Sequence, residues 1–347
     1  MMFQENSPAV TIIVPTKNRS DFVERLVKYY ESVRYPYSLI IADSSEPGHF
    51  EKTGKLIATL KNKLELVHLN CVGLNVQRAV FHSEPSVNTP YFAIVADDDF
   101  LIPNAVQKAA SFLENHPEYS AANGKALLIG VGGDHTFGPV SLCSPYLLCT
   151  VEQETAAQRL RDYFLPSPRL VVFSVQRTAN LKKVWFPFEG DKQGGIFDEL
   201  VPSSILVMLG KVKTIDHLYL VREGHPRQYT QVRLYPWLTS PQWQPSLTFL
   251  KQQCVSMLVM LDHISKAEAE SVFDEIFSEY LLGAFVSIHR KSRVSRRDNL
   301  QQRVLLWLRQ KKWYVRVRLN GIYQKSLFSP NCHDFRAVVQ SIEQLRE

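Results

Sequence analysis

Glycine is missing where several enzyme classes need it. After a first apolar, β-branched segment at 9–14 the chain reads Pro15-Thr16-Lys17-Asn18-Arg19. A dinucleotide-binding oxidoreductase would carry GxGxxG at this point, and a sugar nucleotidyltransferase a Gly-rich, Arg-containing phosphate loop. No GxSxG elbow occurs to support a nucleophilic hydrolase. Cysteine is sparse: Cys71, Cys143, Cys149, Cys254 and Cys332 are odd in number and form no CxxC pair, so reduced thiols are expected and a zinc site is not. Long apolar runs are absent too, since 254–264 and 280–288 are both too short to span a bilayer. Residues 1–8 lack the basic and apolar blocks of a signal peptide, and a cytoplasmic protein is expected. At 347 residues, with 45% hydrophobic and 21% charged content, the chain has room for one large domain and a smaller one, or two modest ones.

What is present begins with three consecutive aspartates, Asp97, Asp98 and Asp99, closing the apolar run Tyr91-Phe92-Ala93-Ile94-Val95-Ala96. Like charges this close repel, and a divalent cation is the physical remedy, because carboxylate oxygens are what Mg²⁺ and Mn²⁺ prefer. The plainer alternative is a solvated acidic turn that caps the helix starting near Pro103.

The surrounding pattern alternates. Strands are expected at 9–14, 38–42, 64–69 and 91–96, with helices near 19–33, 49–60, 74–82 and 103–115. Such alternation predicts an α/β fold whose mostly parallel sheet is flanked by helices. It also places three polar clusters, Pro15–Arg19, Asp43-Ser44-Ser45 and Asp97-Asp98-Asp99, on one rim of that sheet, where open α/β sheets bind ligands. Further helices are expected at 152–164 and 197–209, further strands at 126–131, 170–176 and 211–221. A linker or binding loop is expected over 225–245, and a helical C-terminal region over 246–347.

Charge is unevenly spread. The whole chain carries a net +6, yet residues 286–325 hold twelve Lys or Arg against one acidic residue, Asp298. Such a patch fits an anionic membrane surface, nucleic acid, or simply a solvated helix face.

Four segments together carry a resemblance. Val10–Arg19, Ile41-Ala42-Asp43-Ser44-Ser45, Asn70-x-x-Gly73 leading to Arg78, and Ile94–Asp99 resemble the nucleotide-sugar domain of family-two-like, GT-A-type bacterial glycosyltransferases. The resemblance covers about residues 9–236 and implies a Rossmann-like GT-A domain over 1–236. It implies that Pro15, Thr16 and Arg19 flank the donor's base and diphosphate, that Asp43 and Ser44 meet the nucleoside, and that Arg78 contacts the base. Arg78 reads equally well as an exposed helix arginine. Asp97 and Asp98 are expected near the ribose and metal, and Asp97, Asp99 and His225 as the metal set for Mn²⁺ or Mg²⁺. An ion there stabilises the leaving diphosphate as a Lewis acid.

The same resemblance implies an inverting transferase whose general base is the second acid of a pair about eleven residues before a strand-starting glycine. Asp198-Glu199 precedes Gly210 at that spacing. The order is reversed from the commoner Glu-Asp, so Glu199 is favoured and Asp198 stays open. Acidic residues also simply favour the positive end of a helix dipole. A neutral His225 suits Mn²⁺, though a loop histidine is often only a surface residue. The expected partners are a nucleotide-sugar donor, UDP-sugar favoured, and a glycan, lipid-linked or protein acceptor. Peripheral contact with the inner face of an anionic membrane, a second copy of the chain, and a catalytically inactive GT-A-like binding protein remain open; nucleic acid is not favoured.

Overall fold

The computed structural model describes the chain apart from residues 1–7, 133–135, 147, 166–167, 169–170, 187–196, 226–237, 298–332 and 344–347. Its centre is a sheet of nine strands in the order β3-β2-β1-β4-β8-β6-β9-β5, with β7 beside β6. The first half matches the alternating pattern closely. Strands β1 (Val10–Thr16), β2 (Leu39–Asp43), β3 (Leu66–Asn70) and β4 (Tyr91–Ile94) are separated by helices α1 (Ser20–Ser32), α2 (Pro47–Leu60) and α3 (Val76–His82). β3, β2, β1 and β4 pair in parallel, and Thr16, Asp43 and Asn70 lie in register at one rim. β1 and β2 are apolar nearly throughout because both faces are covered, leaving almost every residue buried.

The second half is mixed. β5 (Phe100–Leu101) leads into α4 (Pro103–Asn115), opened by proline at its first position, where a missing N–H costs nothing. β6 (Tyr119–Val131) pairs antiparallel with β7 (Val140–Tyr146) and β8 (Val175–Arg177), and parallel with β9 (Lys211–Gly224). β4 pairs antiparallel with β8, which joins the halves into one sheet. The helices here are α5 (Ala156–Phe164), α6 (Leu181–Val184) and α7 (Phe197–Leu209). A capping box of Thr155 and Gln158 opens α5. α7 ends at Gly210, where an added Cβ would lie 2.8 Å from the Ser120 backbone nitrogen and 2.9 Å from the Glu118 carbonyl oxygen. Only glycine lets β9 start that close to β6.

Beyond the strands come α8 (Trp243–Asp262), α9 (Lys266–Arg297) and α10 (His333–Glu343). Of the helical region expected over 246–347, the described residues 246–297 and 333–343 are almost wholly helical, and these helices pack against elements within 1–236. α8 packs on α7, with Phe249, Leu250, Cys254 and Leu258 buried. The Asp262 carboxylate accepts from the Ala156 and Ala157 backbone N–H groups and so caps α5. α10 lies against α1, with Phe335, Val338 and Ile342 buried, and Glu343 accepts from the Val140 N–H. Among the described residues no helix is long and apolar enough to cross a membrane. The basic segment expected over 286–325 lies outside the described residues beyond Arg297, as does most of the loop expected over 225–245.

Candidate active site

A cavity of about 530 Å³ opens at the carboxyl ends of β1 and β4, a size suited to a small molecule. Its polar wall is built by the first three rim clusters. Asn18, at φ 56°, turns the chain after β1; its backbone N–H donates to Ser45 Oγ (2.7 Å) and its side chain accepts from the Glu46 N–H (2.8 Å). The β1 and β2 turns are thereby tied together. Asparagine tolerates this left-handed conformation better than most residues. The Thr16 hydroxyl donates to Asp97 Oδ2 at 2.6 Å. Arg19 spans two carboxylates, with Nη1 2.7 Å from Asp97 Oδ1 and Nη2 2.7 Å from Asp98 Oδ2. Its guanidinium sits 4.3 Å above the Phe22 ring.

The three aspartates do three different things. Asp97 and Asp98 line the cavity. Asp99 is fully buried and points the other way, accepting from the Glu223 N–H (2.9 Å) and Arg222 Nε (3.0 Å). Burial raises Asp97 and Asp99, and the neighbouring Asp98 charge adds to it, against the pull of Arg19 and Arg222. Asp98 goes down to about 2: burial opposes ionisation, but hydrogen bonds from His225 and Arg19 outweigh it. Asp98 is the most acidic member of the triplet.

His225, at the end of β9, stacks on Phe22 with ring centroids 5.0 Å apart and places Nε2 3.0 Å from Asp98 Oδ2. Of the metal set that the resemblance implies, His225 meets Asp98, while Asp97 faces Arg19 and Asp99 faces Arg222, so Asp97, Asp99 and His225 are not brought together. Among the described residues no cluster of three or more His, Cys, Asp or Glu side chains could hold an ion. Asp98 and His225 offer two donors, so an ion held there would need further oxygens from a bound ligand or water, as Mg²⁺ sites commonly do.

The opposite wall is different in kind. Leu74, Val76 and Ala79 of the α3 region, with Val172, Phe173 and Trp185, make it apolar, and Asp198 and Glu199 rise from the first turn of α7. Asp198 Oδ1 is shielded from solvent and has no hydrogen-bond partner among the described residues. Burial, helped by the Glu199 charge, pushes this carboxyl up to about 7. Arg222 also lines the cavity, donating to the Tyr146 hydroxyl (2.9 Å) and lying over the Phe173 ring.

The structure therefore gathers Pro15, Thr16, Arg19, Ser44, Asp97, Asp98, Asp198 and Glu199 around one cavity. Asp43 stands just behind it, its carboxylate accepting from the Ser45 N–H (2.9 Å) and paired with His68 Nε2 (3.0 Å). Burial would raise Asp43, but the hydrogen bonds from His68 and Ser45 hold it below the usual range. Arg78 is half-buried on α3, off the cavity lining.

Two partners went unnoticed in the sequence. Arg25 is fully buried, donating to the Asp98 carbonyl (3.1 Å) and the Thr136 carbonyl (2.6 Å) and pairing with Glu223 (2.7 Å) between the Phe22 and Phe100 rings. It sits on the stripe of α1 that includes Phe22, Leu26 and Tyr29. A charge on a helix's apolar stripe is the signal that marks it. Glu223, which burial pushes up to about 7 against the pull of Arg25, carries no comparable signal.

No family model matches the chain, nor does any curated protein sequence. Solved structures do. Residues 1–349 of Staphylococcus aureus TarS in complex with UDP-GlcNAc are 16% identical at a TM-score of 0.50, covering 96% of this chain and 84% of that one. The mannosyltransferase PcManGT from Pyrobaculum calidifontis, in complex with GDP-Man and Mn²⁺, is 12% identical at a TM-score of 0.45, covering 93% and 89%. Against a longer S. aureus TarS structure the chain spans 43% of that protein's length. At these identities the likeness concerns architecture, and this chain has the GT-A-type fold of nucleotide-sugar glycosyltransferases.

Proposed function

We propose that the chain is a glycosyltransferase that moves a sugar from a nucleotide-sugar donor to an acceptor hydroxyl with inversion. One observation carries this reading: a single cavity has a cationic, carboxylate-rich rim on one side and a carboxylate held near neutrality on the other. A nucleoside diphosphate fits the first wall. Ser44, with Asp43 behind it, would meet the nucleoside and Asp97 the ribose, and Arg19 and Arg222 would offer guanidinium forks to the diphosphate. The attacking hydroxyl fits the second wall. Asp198 takes its proton as the bond to the anomeric carbon forms, and a carboxyl near pH 7 is tuned for that work. Glu199 raises Asp198 by its charge and orients the acceptor. Of the acidic pair, Asp198 is preferred as base because one of its oxygens has no competing hydrogen bond among the described residues. A UDP-sugar remains the favoured donor, and the acceptor is a glycan, a lipid-linked saccharide or a protein.

As glycosidic bond cleavage proceeds, negative charge gathers on the departing diphosphate. Arg19 and Arg222 face that charge, and the Phe173 and Trp185 wall keeps water from competing with the acceptor. Asp98 and His225 would hold a divalent ion, which when bound adds Lewis-acid stabilisation of the same charge.

Calorimetry against UDP, GDP and a panel of nucleotide sugars, with and without Mn²⁺, tests the donor site. Absence of binding under every condition rejects it. A product that keeps the donor's anomeric configuration rejects inversion.

A further inference from the structure

The two-residue strand β5 pairs Phe100 with Val221, and in an antiparallel pair that register sets Asp99 opposite Arg222. The Asp99 carboxylate is wholly engaged by β9: Oδ1 accepts from the Glu223 N–H (2.9 Å) and Oδ2 from Arg222 Nε (3.0 Å). Asp99 is fully buried and forms no part of the cavity lining. A second hold on Arg222 comes from β7. Tyr146 pairs with Ala126 and Arg222 with Leu128, positions two apart on β6 and therefore on one face of the sheet. The Tyr146 hydroxyl accepts from Arg222 Nη1 (2.9 Å).

Two nitrogens of the fork are thus anchored, and two aromatic rings flank it: Cζ lies 5.1 Å from the Tyr146 ring centre and 5.3 Å from that of Phe173. The remaining nitrogen, Nη2, has no hydrogen-bond partner among the described residues. The side chain keeps 15% of its surface exposed and lines the cavity, so a ligand there can reach it. The Glu199 charge acts on the same guanidinium from the α7 wall. A mobile arginine loses rotamer freedom when it takes hold of an anion; this one is ordered beforehand. A cation fixed in place before charge develops stabilises a leaving group without reorganisation.

We propose that Asp99 and Tyr146 are positioning residues that aim Arg222 at the diphosphate of a bound nucleotide. This rests on the donor-site reading above. It gives Asp99 a task other than the metal ligation that the resemblance implies, since its carboxylate acts on the diphosphate through a guanidinium. Removing either support leaves the charge of Arg222 in place and disturbs only its aim. The loss should therefore fall on phosphate binding, and it should vanish once Arg222 itself is gone.

The test is a double-mutant cycle read by calorimetry, with UDP and GDP as probes and uridine and guanosine as their phosphate-free counterparts. Arg222→Gln should weaken binding of the diphosphate that the parent takes by about ten- to a hundredfold, as loss of a charged hydrogen-bond partner does. Asp99→Asn keeps one carboxylate-like oxygen where two are needed, and should weaken diphosphate binding by about three- to tenfold with nucleoside binding unchanged. Added to Arg222→Gln, it should cost less than about a further twofold. Tyr146→Phe keeps the ring and removes only the hydroxyl, so it repeats the comparison if Asp99→Asn does not fold. It should weaken the diphosphate by about two- to fivefold, an effect again absent beside Arg222→Gln. Losses that multiply fully with that of Arg222→Gln, or that fall equally on the nucleosides, overturn the proposal. So does a diphosphate affinity whose dependence on Mn²⁺ disappears in Asp99→Asn and persists in Arg222→Gln, which would assign Asp99 to a metal. Each of these outcomes leaves the donor reading intact. Failure of UDP and GDP to bind the parent, with or without Mn²⁺, defeats the donor reading and the positioning role with it.

Discussion

The two walls of the cavity solve the problem of buried charge in opposite ways. On the rim side, carboxylates are matched by cations: Arg19 against Asp97 and Asp98, Arg222 against Asp99, Arg25 against Glu223. On the α7 side, Asp198 has no ion-pair partner among the described residues and has Glu199 beside it as a second acid. Matching fixes shape, because a buried charge deprived of its partner costs far more than the pair contributes. Burial raises the proton affinity on both sides, of Asp97, Asp99 and Glu223 as well as Asp198, but no cation pulls against it at Asp198. The difference separates carboxyls held in a set geometry by cations from one that is shaped by burial and a second acid.

The sharpest way to break the contrast is at the unmatched acid. Asp198→Asn should lower transfer by roughly 10²–10⁴-fold, the range for losing a general base, with nucleotide affinity unchanged by calorimetry. A larger loss in Glu199→Gln would reverse the assignment within the pair. On the matched side, Arg25→Met leaves Glu223 buried without its cation and should cost about 3–5 kcal/mol of stability, read as a shift in the urea midpoint. Arg25→Met combined with Glu223→Met should recover most of that loss, as replacing whole buried pairs often does. Equal instability in single and double variants would mean that the pair is not what anchors the Asp98 turn. Smaller again is Thr16→Val. It removes the hydroxyl that donates to Asp97, at about 1.5–3 kcal/mol for a bond to a charged acceptor, and should weaken nucleotide binding while sparing the fold.

The two walls also differ in pH response. Transfer should fall as pH drops below about 7, where Asp198 becomes protonated, and Asp198→Asn should erase that limb of the profile. The stability change has the opposite sense. A carboxyl raised from 3.8 to about 7 on folding favours the folded state fully below pH 3.8, and that contribution is lost as pH rises through 7. Between those values the parent should gain stability on acidification relative to Asp198→Asn, measured by paired urea titrations. Asp98 runs the other way: held at about 2, it contributes stability above its unfolded value of 3.8, lost as pH falls towards 2.

The first half of the sheet was legible because its information is local. Apolar runs, helix periodicity and proline at the start of α4 lie within single segments, and strands in parallel pairs must put their carboxyl ends on one side. That is why Thr16, Asp43 and Asp97 could be placed on one rim before any coordinates. The second half was harder: β7 and the short β5 were not anticipated, because both exist through partners distant in sequence.

Sequence by itself determined the alternation, the rim and the acidic pair ahead of Gly210, since each follows from spacing along one chain. It could not assign separate work to Asp97, Asp98 and Asp99, which are identical in chemistry and adjacent in order. Their roles depend on which side chains arrive from β1, α1 and β9: Arg19 and Thr16 for the first, Arg19 and His225 for the second, Arg222 and the Glu223 backbone for the third. Only the tertiary structure decides such matters, because the charge state of a buried carboxyl is set by the groups within a few ångströms of it, and those come from distant parts of the sequence.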